Sequence, residues 1–583
     1  MNRLRTYAAE FRAWLEETHG AGFELRRHFF RRFFDSDLVS TPGQWQAVAI
    51  GLFAIVVSLP VPLLQAYFHK YRMLSELDSD VPFRHAVMAD HLFLITLAMT
   101  LTAMITAIQW QSLFPGLRDY LVLAGLPVRT QQVFRAKFTA LLVFMGIFVG
   151  ALCVPPSCSL PFVMAGRYYT PHWANSIEMA TAMAASAFFV FFALVALQGL
   201  LLNVTPPRWF PAISLLVQGV VFTLAVCALP LVISIPQLDR FMDQRPDFAR
   251  WVPPAWFLAL DQWLNGSRER YFAELGRIAW AGVGIAAFLA VVAYWWSYRR
   301  QKVRMLETPV QARGDFSVLR RALAVLRDRL IPELPEQAVF GFTAATLSRS
   351  RMHRMVLTAF VAVALALIAE GFVSLFLNPR TIAANSYALR QAAASAPLAL
   401  SLFVLAGYRY LFRLPVELRA NWLFRVHEGG NHKLLLRGME KFVFWFGTIP
   451  VGAITLPLEV RVFGWQTGVE IAVLTFLPAL IVQEALLAGF DKIPFTSAYL
   501  PGQRPLIQTV TLYGAAFGAY VILLGGVIVS AVRLTGSFLL AFSLMLAIWG
   551  WLRWSRRVYG DAGEIEYEES MEPAVQTLAI FRD

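Results

Sequence analysis

The chain has 583 residues, 57% of them hydrophobic and only 15% charged, with a mean hydropathy of +0.55, whereas soluble domains carry about a quarter of charged residues. Its apolar runs leave no polar stretch long enough to fold as a soluble catalytic domain of ordinary size. The formal charge of +13 is dispersed in short Lys and Arg clusters between those runs, which argues against a basic nucleic-acid-binding face and predicts no nucleic acid partner.

The fold class this predicts is all-α, a polytopic transmembrane helical bundle of about 12 spans in two six-span halves with both termini cytoplasmic. Residues 1–44 read as a cytoplasmic segment, and the basic stretch 9–35 within it, with Arg26, Arg27, Arg31 and Arg32, as a helix on the membrane surface or packed on the protein itself. No short charged segment leads directly into an apolar core there, so the first span is expected to remain in the mature protein. The first unit, 45–298, holds predicted spans at 45–68, 91–113, 138–160, 176–202, 210–235 and 274–298. A basic linker follows at 299–354, in which Phe316, Leu319, Leu323, Leu326 and Leu330 recur at helical spacing among arginines. The second unit, 355–554, holds predicted spans at 355–377, 395–413, 442–460, 468–490, 507–531 and 535–554, and a tail covers 555–583.

Lys and Arg stay on the cytoplasmic side of short loops. The clusters before the first span, after the sixth (Arg299, Arg300, Lys302, Arg304) and after the last (Arg556, Arg557) fall on one side if the span number is even. That leaves 69–90, 161–175, 236–273 and 378–394 outside. Cys153, Cys158 and Cys227 lie in or beside apolar runs at spacings that fit neither a metal nor a redox motif, and read as structural thiols.

The halves also repeat in outline. In each, the second span is followed by a Leu-Pro-Val segment with basic residues and then by the third span: Leu126-Pro127-Val128-Arg129 leading to Arg135-Ala136-Lys137, and Leu414-Pro415-Val416-Glu417 leading to Arg425. Duplicated halves with a path between them favour a transporter over a membrane-bound enzyme. The stretch from Phe114 through Asp119-Tyr120-Leu121-Val122-Leu123-Ala124-Gly125 to Leu126-Pro127-Val128, and on to Arg135-Ala136-Lys137, resembles the cytoplasmic segment of type-2 ABC exporter permeases. Trp251-Val252-Pro253-Pro254-Ala255-Trp256-Phe257 and Gly266 are similar to the loop those permeases carry before the last span of a six-span unit.

The resemblance implies two permease units fused in one chain, with a separate ABC ATPase subunit, expected as a dimer, docking on Asp119, Tyr120, Leu126, Pro127, Arg129, Arg135 and Lys137, and on Leu414 and Pro415 in the second copy. Arg413 stands there in place of an acidic residue, a departure from the family pattern. The chain has no G-x-x-x-x-G-K-[ST] loop, so it is expected to hold no cofactor itself, with ATP and Mg in the partner. Membrane lipid is the other expected partner.

Carboxylates inside spans are expensive and default to functional candidates. Glu370 and Glu484 qualify, and Gln198 and Gln218 are candidates to line a polar path or to bond between helices. They keep a second expectation open, an ion-coupled secondary transporter using Glu370 or Glu484, beside a third, a membrane-embedded enzyme or scaffold. No catalytic residue is singled out, and no metal site: His427 and His432 are five apart with Gly429-Gly430 between them, unlike the four-residue spacing of zinc helices.

Overall fold

The computed structural model describes residues 22–30, 60–110, 112–114, 130–206, 209–233, 247–307, 331–377, 386–414, 416, 421–427, 432–488, 490, 492–496, 514–515 and 517–559. Among them nine helices are long and apolar enough to cross a bilayer, and the β pairing is one isolated bridge between Gly166 and Tyr169. The protein is a multi-pass helical membrane protein. Its chain divides into two compact units, Met1–Gly314 and Asp315–Asp583.

In the first unit, α1 (22–30) buries Leu25 and Phe29, one turn apart, in the unit's core while Arg26 and His28 stay exposed. This part of the basic stretch therefore packs on protein. The rest of that stretch, and the predicted helix from Phe316 to Leu330, lie outside the described residues. There follow α2 (Pro60–Ser75), α3 (Val81–Ile108), α4 (Thr130–Val163), α5 (Trp173–Val204), α6 (Phe210–Ile233), α7 (Pro253–Leu264) and α8 (Arg270–Glu307).

At 28 residues α3 is about 42 Å long, more than the roughly 30 Å hydrocarbon core. It begins ten residues before the apolar run at 91 because its first turns are polar and find partners: Arg84 pairs with Asp80 at 2.6 Å, and Lys70 with Asp90 at 2.8 Å. A hydropathy window sees only the apolar remainder. Prolines 155, 156 and 161 sit inside α4, as membrane helices tolerate where neighbouring helices and local adjustments re-satisfy the freed carbonyls.

The stretch 236–273, expected as an outside loop, contains α7. Pro253 at its first position has no N–H to leave unpaired, and Gly266, at φ +85°, turns the chain just beyond its end. Twelve residues reach about 18 Å, too short to cross, yet Phe257, Leu258, Ala259, Leu260 and Asp261 are all fully buried against α3, α5 and α8. The loop thus inserts a helix into the bundle, with its backbone hydrogen-bonded within itself. The far side of α8 exposes Ile285, Phe288, Leu289, Trp295 and Trp296, a face for lipid with tryptophans toward one end.

The second unit runs α9 (Leu334–Arg349), α10 (Arg351–Leu377), α11 (Ser386–Leu411), α12 (Asn421–His427) and α13 (His432–Val443), which passes through a π turn at Phe444–Thr448 into α14 (Ile449–Phe463). Then come α15 (Trp465–Leu487), a second π turn at Gly518–Leu523 leading into α16 (Leu524–Ala531), and α17 (Thr535–Tyr559). Of the predicted span 507–531, only the stretch Gly518–Ala531 is a described apolar helix, shorter than a crossing needs. The span expected at 442–460 begins at Leu434, since α13 joins it through the π turn.

One residue, Gly464 at φ +86°, links α14 to α15. The hairpin is so tight that a Cβ on Gly468 would lie 2.7 Å from Val460 Cα and 2.9 Å from its N. Backbone cannot yield as a flexible side-chain tip does, so Gly468→Ala is expected to cost about 1–3 kcal/mol, the range for overpacking, read as a lowered thermal midpoint in detergent. An unchanged midpoint would mean that α14 and α15 do not approach this closely.

Candidate functional site

The end of α3 is the most elaborate polar construction in the first unit. Helix ends leave their last carbonyls without intrahelical donors, and here the chain continues through Trp110, Leu113 and Phe114 toward the segment 115–129. Four side chains from four other helices supply donors: Gln218 Nε2 from α6 to Ala107 O at 2.7 Å, Gln198 Nε2 from α5 to Trp110 O at 2.5 Å, Tyr294 OH from α8 to Leu113 O at 3.1 Å, and Lys137 Nζ from α4 to Phe114 O at 2.9 Å. Trp110, fully buried, donates its indole N–H to Ser214 Oγ at 2.9 Å. Lys137 also lies 5.3 Å over the Phe29 ring of α1, a cation–π contact that offsets its desolvation. The result is a collar around the root of the segment 115–129.

The collar rearranges the roles expected from sequence. Gln198 and Gln218 bond between helices, one of the two roles the sequence left open for them, and hold α3. Lys137 is buried and spent on a carbonyl, so it anchors the root of the segment instead of offering a surface charge. Arg135, two residues earlier, is exposed and borders an open groove of about 210 Å3 with Gln131, Phe134, Phe138, Val291, Tyr294 and Trp295. Asp119, Tyr120, Leu126, Pro127 and Arg129 lie outside the described residues.

In the second unit the corresponding exit from α11 is held differently. Leu414 is buried and its carbonyl accepts from His353 Nε2 at 3.3 Å; Phe495 N donates to Phe412 O at 3.0 Å and Val416 N to Phe495 O at 2.9 Å. Phe495, at φ +66°, sits in the left-handed region while its ring is fully buried. Pro415 lies outside the described residues. A histidine and a backbone loop thus do here what four polar side chains do in the first unit.

At the opposite end of the first unit a second cluster surrounds α7. Asp261 Oδ2 is 2.6 Å from His91 Nδ1, both groups buried, and Gln262 Nε2 donates to the same oxygen at 3.2 Å. The adjacent Asp90 takes Lys70 Nζ at 2.8 Å and Tyr71 OH at 2.5 Å. Tyr169, in the turn before α5, has its phenol pushed up to about 12 by burial, then by the charges of Asp261 and Glu178. Asn175 Nδ2 donates to Asn265 Oδ1 at 3.0 Å, tying α5 to the end of α7. These groups fasten the inserted helix. Sequence reasoning missed them because Asp90 and His91 fall at a predicted loop–span boundary and Asp261 inside a predicted loop, and His91 and Asp261 are 170 residues apart in the chain. Among the described residues no group of three or more potential ligands is arranged to hold a metal.

Several described carboxylates of the second unit are held by cations. Glu484, on α15, is 2.7 Å from Arg556 of α17, whose other nitrogen lies 2.5 Å from Glu440 of α13. Glu336 pairs with Lys441. Glu370 is half-buried on α10, and Arg409 on α11 places its guanidinium 4.5 Å over the Phe490 ring. Glu459, which the sequence did not single out, is 1% exposed and takes one hydrogen bond, from Thr475 Oγ1 at 3.0 Å. It lies one residue inside the predicted end of its span, where a glutamate reads as ordinary flanking charge.

Comparisons with protein-family models, with curated proteins and with solved structures find no match to this chain.

Proposed function

We propose that the chain is the membrane-spanning permease of a type-2 ABC exporter in a bacterial inner membrane, with both termini in the cytoplasm and alternating access driven by a separate ATPase subunit. The collar carries this reading. A segment that receives a mechanical push is useful only if its root is rigidly joined to the helices that must move, and the root of 115–129 is hydrogen-bonded to α4, α5, α6 and α8 at once. On this reading ATP-driven closure of the partner displaces the segment, and the collar passes the displacement to the first unit as a rigid body. The helix α7 inserted just before the last span of the first unit is consistent with the same class. ATP hydrolysis belongs to the partner, as the chain has no phosphate-binding loop of its own.

The test is affinity purification of the tagged full chain from its native membrane in mild detergent, with identification of what co-purifies and an ATPase assay. A stoichiometric nucleotide-binding subunit is expected, lost when Leu126, Pro127 and Arg135 are replaced together while the chain's own yield is unchanged. Purification of the chain alone, without ATPase activity at any load, would sink the reading.

A further inference from the structure

Among the described residues of the second unit, Glu459 is a carboxylate whose surroundings poorly suit a charge. Glu484 and Glu440 share Arg556 and Glu336 has Lys441, but Glu459 has a single hydroxyl donor on Oε1, while its Oε2 is buried with no hydrogen-bond partner. An ionised carboxylate offers about four acceptor sites, and one neutral hydroxyl leaves most of them empty. The groups on the elements packed against α14 do not compensate: Glu470 and Glu484 on α15 are themselves acids, Arg390 and Arg409 on α11 and Arg461 on α14 form no ion pair with it, and Tyr408 gives its hydroxyl to Phe446 O at 3.0 Å.

Packing closes the carboxyl off from bulk solvent, since Glu459 is 1% exposed and its Oε2 is buried. Side chains on a helix lean toward its N-terminus, so the Glu459 carboxyl is directed away from the Gly464 turn and meets Thr475, about three turns of α15 from that turn. Between the turn and the carboxyl, Gly468 lies against Val460 with no room for a methyl group. Burying an isolated carboxylate costs far more than burying the neutral acid.

We propose that Glu459 is a proton-binding site of the second unit, its side chain carried as the carboxylic acid with the proton on Oε2 while α14 and α15 are packed together. A proton is the ligand that suits a carboxyl only 1% exposed, since no hydrated cation or ammonium group reaches Oε2 in this packing. When the hairpin parts, water reaches Oε2, the O–H bond breaks heterolytically, and the proton leaves on water as hydronium with the electron pair kept by the carboxylate. Reclosure reverses the step. The site is independent of the permease reading and would serve an ATP-driven or an ion-coupled transporter alike.

Infrared difference spectroscopy on the full chain in lipid bilayers at neutral pH, wild type minus Glu459→Gln, tests it. The expected difference is the carbonyl stretch of a protonated carboxylic acid, present in the wild type and missing from the variant. A difference containing only carboxylate bands overturns the proposal. Glu459→Asp, which keeps an acid, guards against a Gln variant that does not fold: it is expected to move the protonated band without removing it, and a band unmoved by this change belongs to another carboxyl and equally overturns the proposal. Thermal unfolding gives an independent reading. Gln is nearly isosteric with the neutral acid, so the Glu459→Gln midpoint is expected to match the wild type at neutral pH, whereas a markedly more stable variant would mean that the native side chain is ionised.

Discussion

Asp261→Ala is expected to destabilise the first unit by about 3–5 kcal/mol, the range found when one partner of a buried ion pair is removed. Asp261 is fully buried on α7 and holds His91 of α3 at 2.6 Å. Truncation strands a buried imidazole and opens a void beside Phe257 and Leu258, which are themselves fully buried. It also removes a polar link between α3 and a helix too short to anchor itself across a bilayer. Asp261→Asn, which keeps the volume and an acceptor oxygen, is expected to cost less. Thermal unfolding in detergent, followed by the monodisperse fraction on gel filtration, reads both. The double-mutant cycle with His91→Ala separates pairing from packing: contacting residues couple, so the double variant should lose less than the sum of the single losses. Strict additivity would show that the two groups do not depend on each other.

The long apolar helices were legible in sequence because bilayer burial imposes about 20 apolar residues on each crossing, and α4, α5 and α8 lie over the predicted runs 138–160, 176–202 and 274–298. What escaped was whatever departs from that rule. Helix α7 is buried like a span but only 12 residues long, and no hydropathy window distinguishes it from a loop. The polar first turns of α3 extend the helix beyond its apolar run because Lys70 and Tyr71 on α2 donate to Asp90 and Arg84 pairs with Asp80. Among site residues, the polarity of Gln198, Gln218 and Lys137 in or beside apolar spans was a real signal. Its meaning was not readable, since the acceptors are backbone carbonyls 88, 111 and 23 residues away that only the folded bundle brings into reach. Glu459 and Asp261 were missed for the opposite reason: Glu459 sits at a predicted span boundary and Asp261 within a predicted outside loop, both places where charge is common. Depth in the fold, not position in the sequence, makes them unusual.

Arg556→Ala is expected to destabilise the second unit by about 1.5–3 kcal/mol, the range for charged hydrogen bonds, because one part-buried guanidinium serves two carboxylates on two helices, Glu484 at 2.7 Å and Glu440 at 2.5 Å. Arg553 stands 3.9 Å from Glu484 but is half exposed, so it recovers only a minor share. The loss should be concentrated at α17, whose outer face exposes Leu539, Leu540, Leu544 and Trp551 and gains little from packing there; protease sensitivity of α17 in detergent would report it. Glu484→Gln is a different perturbation, since Arg556 keeps Glu440 and the amide still accepts a hydrogen bond, and its expected cost is about 1 kcal/mol. The pair of variants decides what Glu484 is for. If it anchors α17, Glu484→Gln retains the proposed transport and Arg556→Ala loses it together with the fold. If it is a coupling carboxylate, Glu484→Gln abolishes transport in a protein of near wild-type stability, an outcome that an anchoring role cannot produce because the anchor's other half, Arg556 with Glu440, is still in place.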